Sequence, residues 1–563
     1  MHQNTKICGG AALIALGIFL QGCTNSGALV QTQDGSIQGI ARDDVHIFRG
    51  IPYAAPPVGA LRWAAPQPVE PWRETLQANA WGPSCWQDIS EGNSVFIEST
   101  LRGSGMSEVA IWLGSFLSDD DEAQLSEDCL RLHVITPNLA PDQPLPVMLW
   151  IHGGGHQYGS GGGVYESASL AKKGVVLVSI NYRLGLFGFL AHPELAKEDP
   201  FGSTGNYGTL DQIAALRWIQ SNIRAFGGDP DNVTIFGESA GGHSVGQLMA
   251  SPLTQGLIHR AIAQSGTGFY QFQTTDRSFE NISGYQAGRL AAQKLGLAGE
   301  DEISQMRTLS IDQLKAIVSD RAISATFHPQ VDGYVLTQPT SNAFEASAQA
   351  KIPLMVGSNA DEGSVLYRFG LSPVDGLWVQ QPNTERAWQA LLEEAFEEQA
   401  EAIANHYIVD ADRDVIRAGE QLMGDSWFGR HAYYMAERHA AAGQPAYLYF
   451  FERRSPSARE TNGAGHALEL FPLFGSSIPF WPRDGRDDEL SEEMQVSWTN
   501  FARRGDPNGS GAPAWPVFTP QTPREMALGH ERSYPRPVER RNRYDAMRGQ
   551  MQKRETAYWV TDN

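Results

Sequence analysis

Cysteine is scarce in this chain, and basic residues are outnumbered by acidic ones. The 563 residues include four cysteines, and 43 Lys and Arg stand against 64 Asp and Glu, which gives a formal net charge of −21. Binding to nucleic acid relies on Lys and Arg to neutralise phosphates, so this balance disfavours a polyanionic partner. Internal repeats and low-complexity tracts are also lacking, and a content of 41% hydrophobic and 19% charged residues is ordinary for a globular protein.

The N-terminus carries a targeting pattern. Lys6 precedes an apolar run over residues 11–20, which is too short to span a bilayer. Leu-Gln-Gly then leads to Cys23, and this arrangement resembles the bacterial lipobox, in which the Cys is lipidated. We therefore predict a signal peptide over residues 1–22 and an exported lipoprotein of the outer membrane or periplasm, in membrane contact through lipid on Cys23. An ordinary secretory peptide with an incidental Cys is the alternative.

Export affects how the remaining cysteines are interpreted. Cys8 would leave with the signal peptide and Cys23 would carry lipid, so Cys85 and Cys129 remain. Two cysteines in an oxidising compartment favour one disulfide, and two buried free thiols are the alternative.

Short apolar runs suited to buried strands alternate with helical patterns, which predicts an α/β fold whose sheet is mostly parallel and covered by helices. The helical stretch is residues 211–226, and residues 370–440 are predicted to form a helical insertion. No clean linker divides the chain, so residues 23–563 are predicted to be one catalytic domain. The predicted strands are residues 132–137, 146–152, 175–181, 233–236, 352–357 and 446–451.

A sharp turn is predicted where the sequence reads Gly-Glu-Ser-Ala-Gly over residues 237–241. This matches the Gly-x-Ser-x-Gly elbow, in which a strand turns abruptly into a helix and exposes the serine. The strand predicted at residues 233–236 and the helix-compatible sequence after Ala240 supply that context. Ser239 is therefore the predicted nucleophile.

A serine nucleophile needs a base, and in this fold the chain order is Ser, acid, His. His466 fits the base because it lies in a Gly-rich loop after a late strand, whereas His431 and His439 are expected on the surface of a helix. For the acid, Glu362 and Asp361 both follow the strand predicted at 352–357, and the pattern alone leaves the choice open.

Three glycines, residues 153–155, directly follow the strand predicted at 146–152. Glycines let backbone N–H groups approach a substrate oxygen without obstruction. Together with the N–H of Ala240, this triplet is a candidate oxyanion hole. No Gly-Lys-Ser/Thr follows it, which excludes a phosphate-binding loop.

Motifs spread over residues 28–528 resemble the type-B carboxylesterases, a family that includes the cholinesterases. They include Phe-Arg-Gly-Ile-Pro-Tyr at residues 48–53, Glu-Asp-Cys-Leu at 127–130, Asn-Tyr-Arg at 181–183, Phe-Gly-Gly-Asp-Pro at 226–230, the elbow, and Gly-Asp-Pro-Asn at 505–508. The resemblance implies an α/β-hydrolase fold with a large, mostly parallel central sheet flanked by helices and helical insertions.

The resemblance also implies roles for individual residues. The acid of the family is the Glu of an Asp-Glu-Gly-Ser run, which selects Glu362 over Asp361. The other implied roles are the base His466, oxyanion donors Gly154, Gly155 and Ala240, a supporting serine Ser265, the disulfide Cys85–Cys129, and an ion pair Arg62–Glu127.

These features predict a serine hydrolase that cleaves a small-molecule carboxylic ester through an acyl-enzyme, without a metal or organic cofactor. Alternatives are a specialised hydrolase of one natural or xenobiotic ester, a thioesterase or amidase, and a non-catalytic adhesion module, although the retained triad disfavours the last. His156 departs from the family, which usually has Phe after the glycines. No choline-binding Trp can be matched between Cys85 and Cys129, so choline specificity is not supported.

Overall fold

The computed structural model describes residues 27–88, 92–111, 124–269, 273–277, 282–377, 379–476 and 478–549. The predicted signal peptide and Cys23 lie outside these residues. Within them, no helix combines the length and the apolar character needed to cross a membrane.

The described residues contain an eleven-stranded mixed sheet. Seven consecutive strands pair in parallel, and the other four pair antiparallel at the two edges. This confirms the predicted α/β-hydrolase architecture. The order across the sheet is Ser533–Pro537, Arg524–Leu528, Ala446–Phe451, Leu354–Asn359, Arg260–Gln264, Gly228–Glu238, Leu145–Ile151, Val176–Ile180, Arg131–Thr136, Val45–Pro52 and Ile40–Arg42.

Among the described residues, three small sheets accompany the large one. In the first, Ser36–Gln38 pairs with Leu29–Gln31 on one side and Leu76–Gln77 on the other. The other two pair Ser84–Cys85 with Leu125–Ser126 and Gln273–Thr274 with Gln330–Val331.

Helices pack around the sheet and build the insertions. The α-helices are Gly92–Gly103, Ala168–Lys172, Gly185–Phe189, Pro193–Glu198, Tyr207–Asn222, Ala240–Ala250, Gly284–Lys294, Glu302–Thr308, Ile311–Val318, Arg321–Ser324, Thr340–Glu345, Gly363–Leu366, Glu385–Phe396, Ala400–Ala404, Val415–Met423, Arg430–Ala441, Leu470–Phe474 and Gly485–Arg504. A π-helical segment, Gly424–Gly429, joins two of them. Short 3-10 helices are Gly59–Leu61, Gly163–Tyr165, Ile223–Phe226, Pro252–Thr254, Tyr367–Phe369, Glu397–Gln399 and Asp412–Asp414.

All six predicted strands occur in the large sheet, and the helical insertion at residues 370–440 is confirmed. The central strand Gly228–Glu238 is longer than predicted, and its pairing with Leu145–Ile151 shifts register between Gly228 and Val233. The strands Arg260–Gln264, Arg524–Leu528 and Ser533–Pro537 were not predicted. The last contains two prolines, which an edge strand tolerates because its outer N–H groups need no partner.

The topology gathers the predicted site at one end of the sheet. Strands in a parallel sheet share a direction, and ligands of open α/β sheets bind beyond their carboxyl ends. Ser239, Ser265 and the glycines at 153–155 directly follow three neighbouring strands. Glu362 lies three residues after the next strand, Leu354–Asn359.

Candidate active site

Ser239 lies in the sharp turn between the central strand Gly228–Glu238 and the helix Ala240–Ala250. Its backbone has φ 56° and ψ −123°, a strained conformation for a residue with a side chain. The turn passes so close to the neighbouring strand that a Cβ on Gly241 would lie 2.0 Å from the carbonyl oxygen of Ile151. Glycine at that position therefore permits the turn, which presents Ser239 at the amino end of a helix.

The glycine triplet lies beside this turn. Gly154 and Gly155 have φ values of 96° and 62°, in the region that glycine adopts without steric cost. A Cβ on Gly153 would lie 3.1 Å from Cβ of Ser239. The structure therefore brings the predicted oxyanion donors on the loop close to Ser239 and to the adjoining Ala240.

Glu362 and His466 are in direct contact. Glu362 Oε2 lies 2.6 Å from His466 Nδ1. The other oxygen, Oε1, accepts hydrogen bonds from Ser265 Oγ at 2.6 Å and from the backbone N–H of Asn359 at 2.7 Å. The Glu362 side chain is fully buried, and its three partners, His466, Ser265 and Asn359, fix the carboxylate against the imidazole.

The second imidazole nitrogen of His466, Nε2, faces a different residue. It lies 3.1 Å from Glu238 Oε1, and within the described part of the chain no hydrogen bond joins it to Ser239 Oγ. Glu238 directly precedes Ser239, so the imidazole is next to the elbow. Contacts of this kind are often long before a substrate binds and tighten in the complex.

Asp361, the rival acid, has a separate contact. Its Oδ2 accepts a hydrogen bond of 2.9 Å from the backbone N–H of Ala464, and its own N–H donates to the carbonyl of Ala464. Asp361 therefore stabilises the loop that carries His466, whereas Glu362 contacts the imidazole of His466 itself.

The expected surface positions of His431 and His439 are wrong. Both lie on the helix Arg430–Ala441 with exposures of 2% and 0%. His439 Nε2 is 2.7 Å from the carbonyl oxygen of Ile352, and His431 Nε2 is 3.3 Å from Asp375 Oδ2. Both imidazoles can be buried because polar groups from distant segments of the chain contact them. Helical periodicity in the sequence does not reveal such contacts.

Two glutamates close to His466 were not predicted to belong to the site. Glu238 and Glu469 are buried, with exposures of 4% and 0%. Glu469 Oε2 accepts a 2.6 Å hydrogen bond from Asn359 Nδ2, while Glu238 Oε1 has no aligned hydrogen-bond donor among the described residues. The available signals were the positions of Glu238 immediately before Ser239 and of Glu469 three residues after His466.

The three carboxylates dominate the electrostatics of the site. Burial alone would lower the pKa of His466, but the charges of Glu238, Glu362 and Glu469 outweigh burial and raise it to about 9. Burial raises the pKa of Glu238 to about 8 and that of Glu469 to about 7, with the neighbouring carboxylates adding to both. Protons are therefore shared within a coupled cluster around the imidazole.

Aromatic rings flank the imidazole. The ring centroid of Phe428, in the π-helical segment, lies 4.9 Å from that of His466. Phe96, on the helix Gly92–Gly103, lies 6.3 Å from His466 and 6.3 Å from Phe369. The imidazole therefore has apolar ring neighbours in addition to the carboxylates.

The family features outside the site are also present. Cys85 and Cys129 form a disulfide. Arg62 donates two hydrogen bonds to Glu127, at 2.7 and 2.6 Å, and a third of 2.8 Å to the carbonyl of Leu309. The bidentate pair is almost fully buried beside the disulfide.

One group of side chains has the composition of a cation site, namely His192, Glu194 and Glu302. The oxygens of Glu194 accept the backbone N–H groups of Glu302 and Ile303, at 3.2 and 3.0 Å, and His192 Nε2 lies 2.9 Å from Glu302 Oε2. The group therefore caps the helix Glu302–Thr308, and its donor atoms already have protein partners.

The sheet, the nucleophile elbow and the contact between Glu362 and His466 define an α/β-hydrolase of the serine type. The chain belongs to the carboxylesterase family, whose model matches residues 26–559. Members of the family hydrolyse carboxylic esters, and the protein is a carboxylic ester hydrolase.

Individual relatives support the assignment. The chain is 37% identical to fumonisin B1 esterase of Sphingopyxis macrogoltabida, over 86% of this chain and 84% of that protein. It is 34% identical to para-nitrobenzyl esterase of Bacillus subtilis, over 89% and 95%. A solved structure of a PNB esterase superposes with a TM-score of 0.75 at 31% identity and covers 92% of this chain and 99% of that one.

Proposed function

We propose that the protein cleaves carboxylic esters through an acyl-enzyme, with Ser239 as nucleophile, His466 as general base and Glu362 as the acid that orients the base. The observation that carries the assignment is the 2.6 Å contact between Glu362 Oε2 and His466 Nδ1 beside the strained elbow. A serine hydroxyl is a weak nucleophile until a base accepts its proton. An imidazole held at Nδ1 by a buried carboxylate has Nε2 available for that role.

The proposed reaction has two steps. Ser239 Oγ attacks the ester carbonyl carbon as its proton passes to His466 Nε2, and the carbonyl oxygen takes the negative charge. The backbone N–H groups of Gly154, Gly155 and Ala240 donate to that oxygen, and His466 then returns the proton to the departing alcohol. Water next attacks the acyl carbon with His466 as base, which releases the acid and restores Ser239. No step needs a cofactor or metal.

We infer that the substrate is a small-molecule ester with an apolar portion. The rings of Phe96 and Phe428 beside His466 suit a hydrophobic acyl or alcohol group, because apolar surface removed from water stabilises the complex. The likeness to a fumonisin B1 esterase favours a specialised ester over a purely general one. A panel of esters graded in acyl and alcohol size would distinguish them, since a specialised enzyme favours one narrow group in kcat/KM.

We also propose that residues 1–22 are removed on export, that Cys23 carries lipid and that residues 23–563 form one catalytic domain in the cell envelope. The supporting observations are the lipobox-like sequence and the Cys85–Cys129 disulfide, a bond typical of oxidising compartments. Several acyl chains on one residue anchor a protein durably. Mass spectrometry of the mature N-terminal peptide tests this proposal, and an unmodified Cys23 would leave a simple secreted enzyme.

A fluorophosphonate probe tests the nucleophile. The wild-type protein should be labelled on Ser239, and Ser239→Ala should lose both the label and on the order of 10⁶-fold in turnover. Ser251→Ala is the matched control, because Ser251 is a buried serine at the far end of the same helix. It should retain labelling and activity. Label on another serine would refute the assignment of Ser239.

A further inference from the structure

His156, the residue that departs from the family after the glycine triplet, occupies an unusual position. It is 2% exposed, and its φ of 56° is uncommon for a residue with a side chain. It directly follows Gly154 and Gly155, the proposed loop donors of the oxyanion hole. Contacts that hold His156 in place therefore also orient the backbone N–H groups of Gly154 and Gly155.

The His156 side chain contacts the helix that begins after the nucleophile. Its Nε2 lies 3.0 Å from Ser244 Oγ, and Ser244 is on the helix Ala240–Ala250. Gln212 Nε2 donates a second 3.0 Å hydrogen bond to the same hydroxyl oxygen. Ser244 can accept from Gln212 and donate its own proton to His156 Nε2, which places the imidazole proton on Nδ1.

The imidazole stays neutral in this setting. Burial lowers the pKa of His156 well below its ordinary value, and the nearby imidazoles of His328, His243 and His152 act in the same direction, while the backbone of Ala240 opposes them.

The backbone and ring of His156 are held from the opposite side as well. The N–H of Gly185 donates a 2.8 Å hydrogen bond to the carbonyl oxygen of His156. The ring packs edge-on against Phe189, with centroids 5.4 Å apart. His156 thus connects the glycine loop to the nucleophile helix and to the helix Gly185–Phe189.

We propose that His156 is a positioning residue for the oxyanion hole. Through Ser244 it holds the loop carrying Gly154 and Gly155 at a fixed distance from Ala240, so that donors from two different segments converge on one oxygen. A phenylalanine could fill the space but could not make the hydrogen bond. Donors of this kind act mainly in the transition state, so the contribution belongs to kcat rather than KM. The proposal rests on the proposed function of Ser239.

The test compares three single variants and one double variant. His156→Asn keeps a residue type that tolerates positive φ but is too short to reach Ser244, and Ser244→Ala removes the partner. Each should lower kcat by roughly ten-fold with little change in KM, because displaced active-site groups cost up to about 10²-fold. The double variant should be no slower than the slower single variant, since both remove the same contact. His156→Gln, whose amide can reach the position of Nε2, should recover part of kcat.

A second measurement separates positioning from general stability. Affinity for a trifluoromethyl ketone, which forms a tetrahedral adduct on the serine, should fall with kcat, while affinity for the product carboxylic acid should not. An unchanged kcat in Ser244→Ala, multiplicative losses in the double variant, or a loss confined to KM would overturn the proposal. Fluorophosphonate labelling of wild-type Ser239 is scored independently, so failure of the proposed function is distinguishable from failure of this inference.

Discussion

Replacing Glu238 by Gln should move the acid limb of the pH–rate profile to lower pH. In the proposed mechanism His466 must be neutral to accept the proton of Ser239, and a pKa of about 9 favours its protonated form at neutral pH. Among the effects that raise this pKa, the charge of Glu238 is the largest, and its Oε1 is 3.1 Å from His466 Nε2. Glutamine keeps the size of Glu238 and removes the charge.

The size of the effect follows from the pKa values. A rise from an ordinary histidine value of about 6.5 to about 9 corresponds to about 3 kcal/mol in favour of the imidazolium. Three carboxylates contribute to this stabilisation, and Glu238 contributes most. Removing its charge should therefore lower the midpoint of the acid limb by at least ~1 pH unit. The wild-type enzyme should lose activity as pH falls through a value above ~6.5, and the variant at a lower pH. Glu238 itself has a pKa of about 8, so the midpoint belongs to the coupled pair.

The assay is kcat/KM for a neutral ester from mildly acidic to alkaline pH. Glu525→Gln is the matched control, because Glu525 is a buried glutamate bonded to Arg536 at 2.8 Å, away from the groups that act on His466. It should leave the midpoint unchanged. A Glu238→Gln midpoint that stays in place or rises would refute the electrostatic reasoning, and an equal shift in both variants would attribute it to general loosening.

The remaining predictions concern the acid, the disulfide and the C-terminal segment. Glu362→Gln should lower turnover by roughly 10⁴-fold, and Asp361→Asn far less, because Glu362 touches the imidazole and Asp361 does not. Steady-state kinetics in which Asp361 matters more would reverse the assignment. Reducing the disulfide should remove about 4 kcal/mol of unfolding free energy on the chain-entropy estimate, measured by denaturant unfolding, and two alkylatable thiols in the native protein would contradict the bond. Arg540→Ala should destabilise the fold by roughly 1.5–3 kcal/mol, because its Nη1 donates a 2.8 Å bond to the fully buried Asp425, which keeps Arg543 and Tyr407 as partners. The exposed pair of Arg224 makes Arg224→Ala a control with little effect in the same unfolding assay.

Much of the fold could be predicted because its strands are encoded locally. The predicted strand at residues 146–152 is apolar from Pro146 to Ile151, and the strand Leu145–Ile151 is buried on both faces at the middle of the sheet. The elbow could also be predicted from the sequence, because the close passage of Gly241 past Ile151 requires glycine at that position. Such features depend on a few consecutive residues, which sequence patterns record directly.

Long-range partners could not be predicted from patterns. The strand Arg260–Gln264 begins and ends with polar residues, so apolar runs do not mark it, and it is stabilised by parallel neighbours on both sides. Glu469 was not predicted to belong to the site, and it accepts a hydrogen bond from Asn359, 110 residues earlier in the chain. Its effect on His466 exists only after folding joins the two segments.

The electrostatic surroundings of His466 illustrate the same limit. In ten described histidines burial lowers the pKa, which favours the neutral imidazole. Six of the ten belong to the core, namely His133, His152, His156, His192, His431 and His439. His466 is buried as well, with 3% exposure, but the three carboxylates reverse the direction of its shift. A general base must become a cation during the reaction, and the same carboxylates that stabilise that cation also protonate the resting enzyme near neutral pH. Stronger stabilisation of the imidazolium therefore means that the enzyme needs a higher pH to hold His466 neutral. Glu238, next to Ser239, is the residue whose replacement should change this pH requirement.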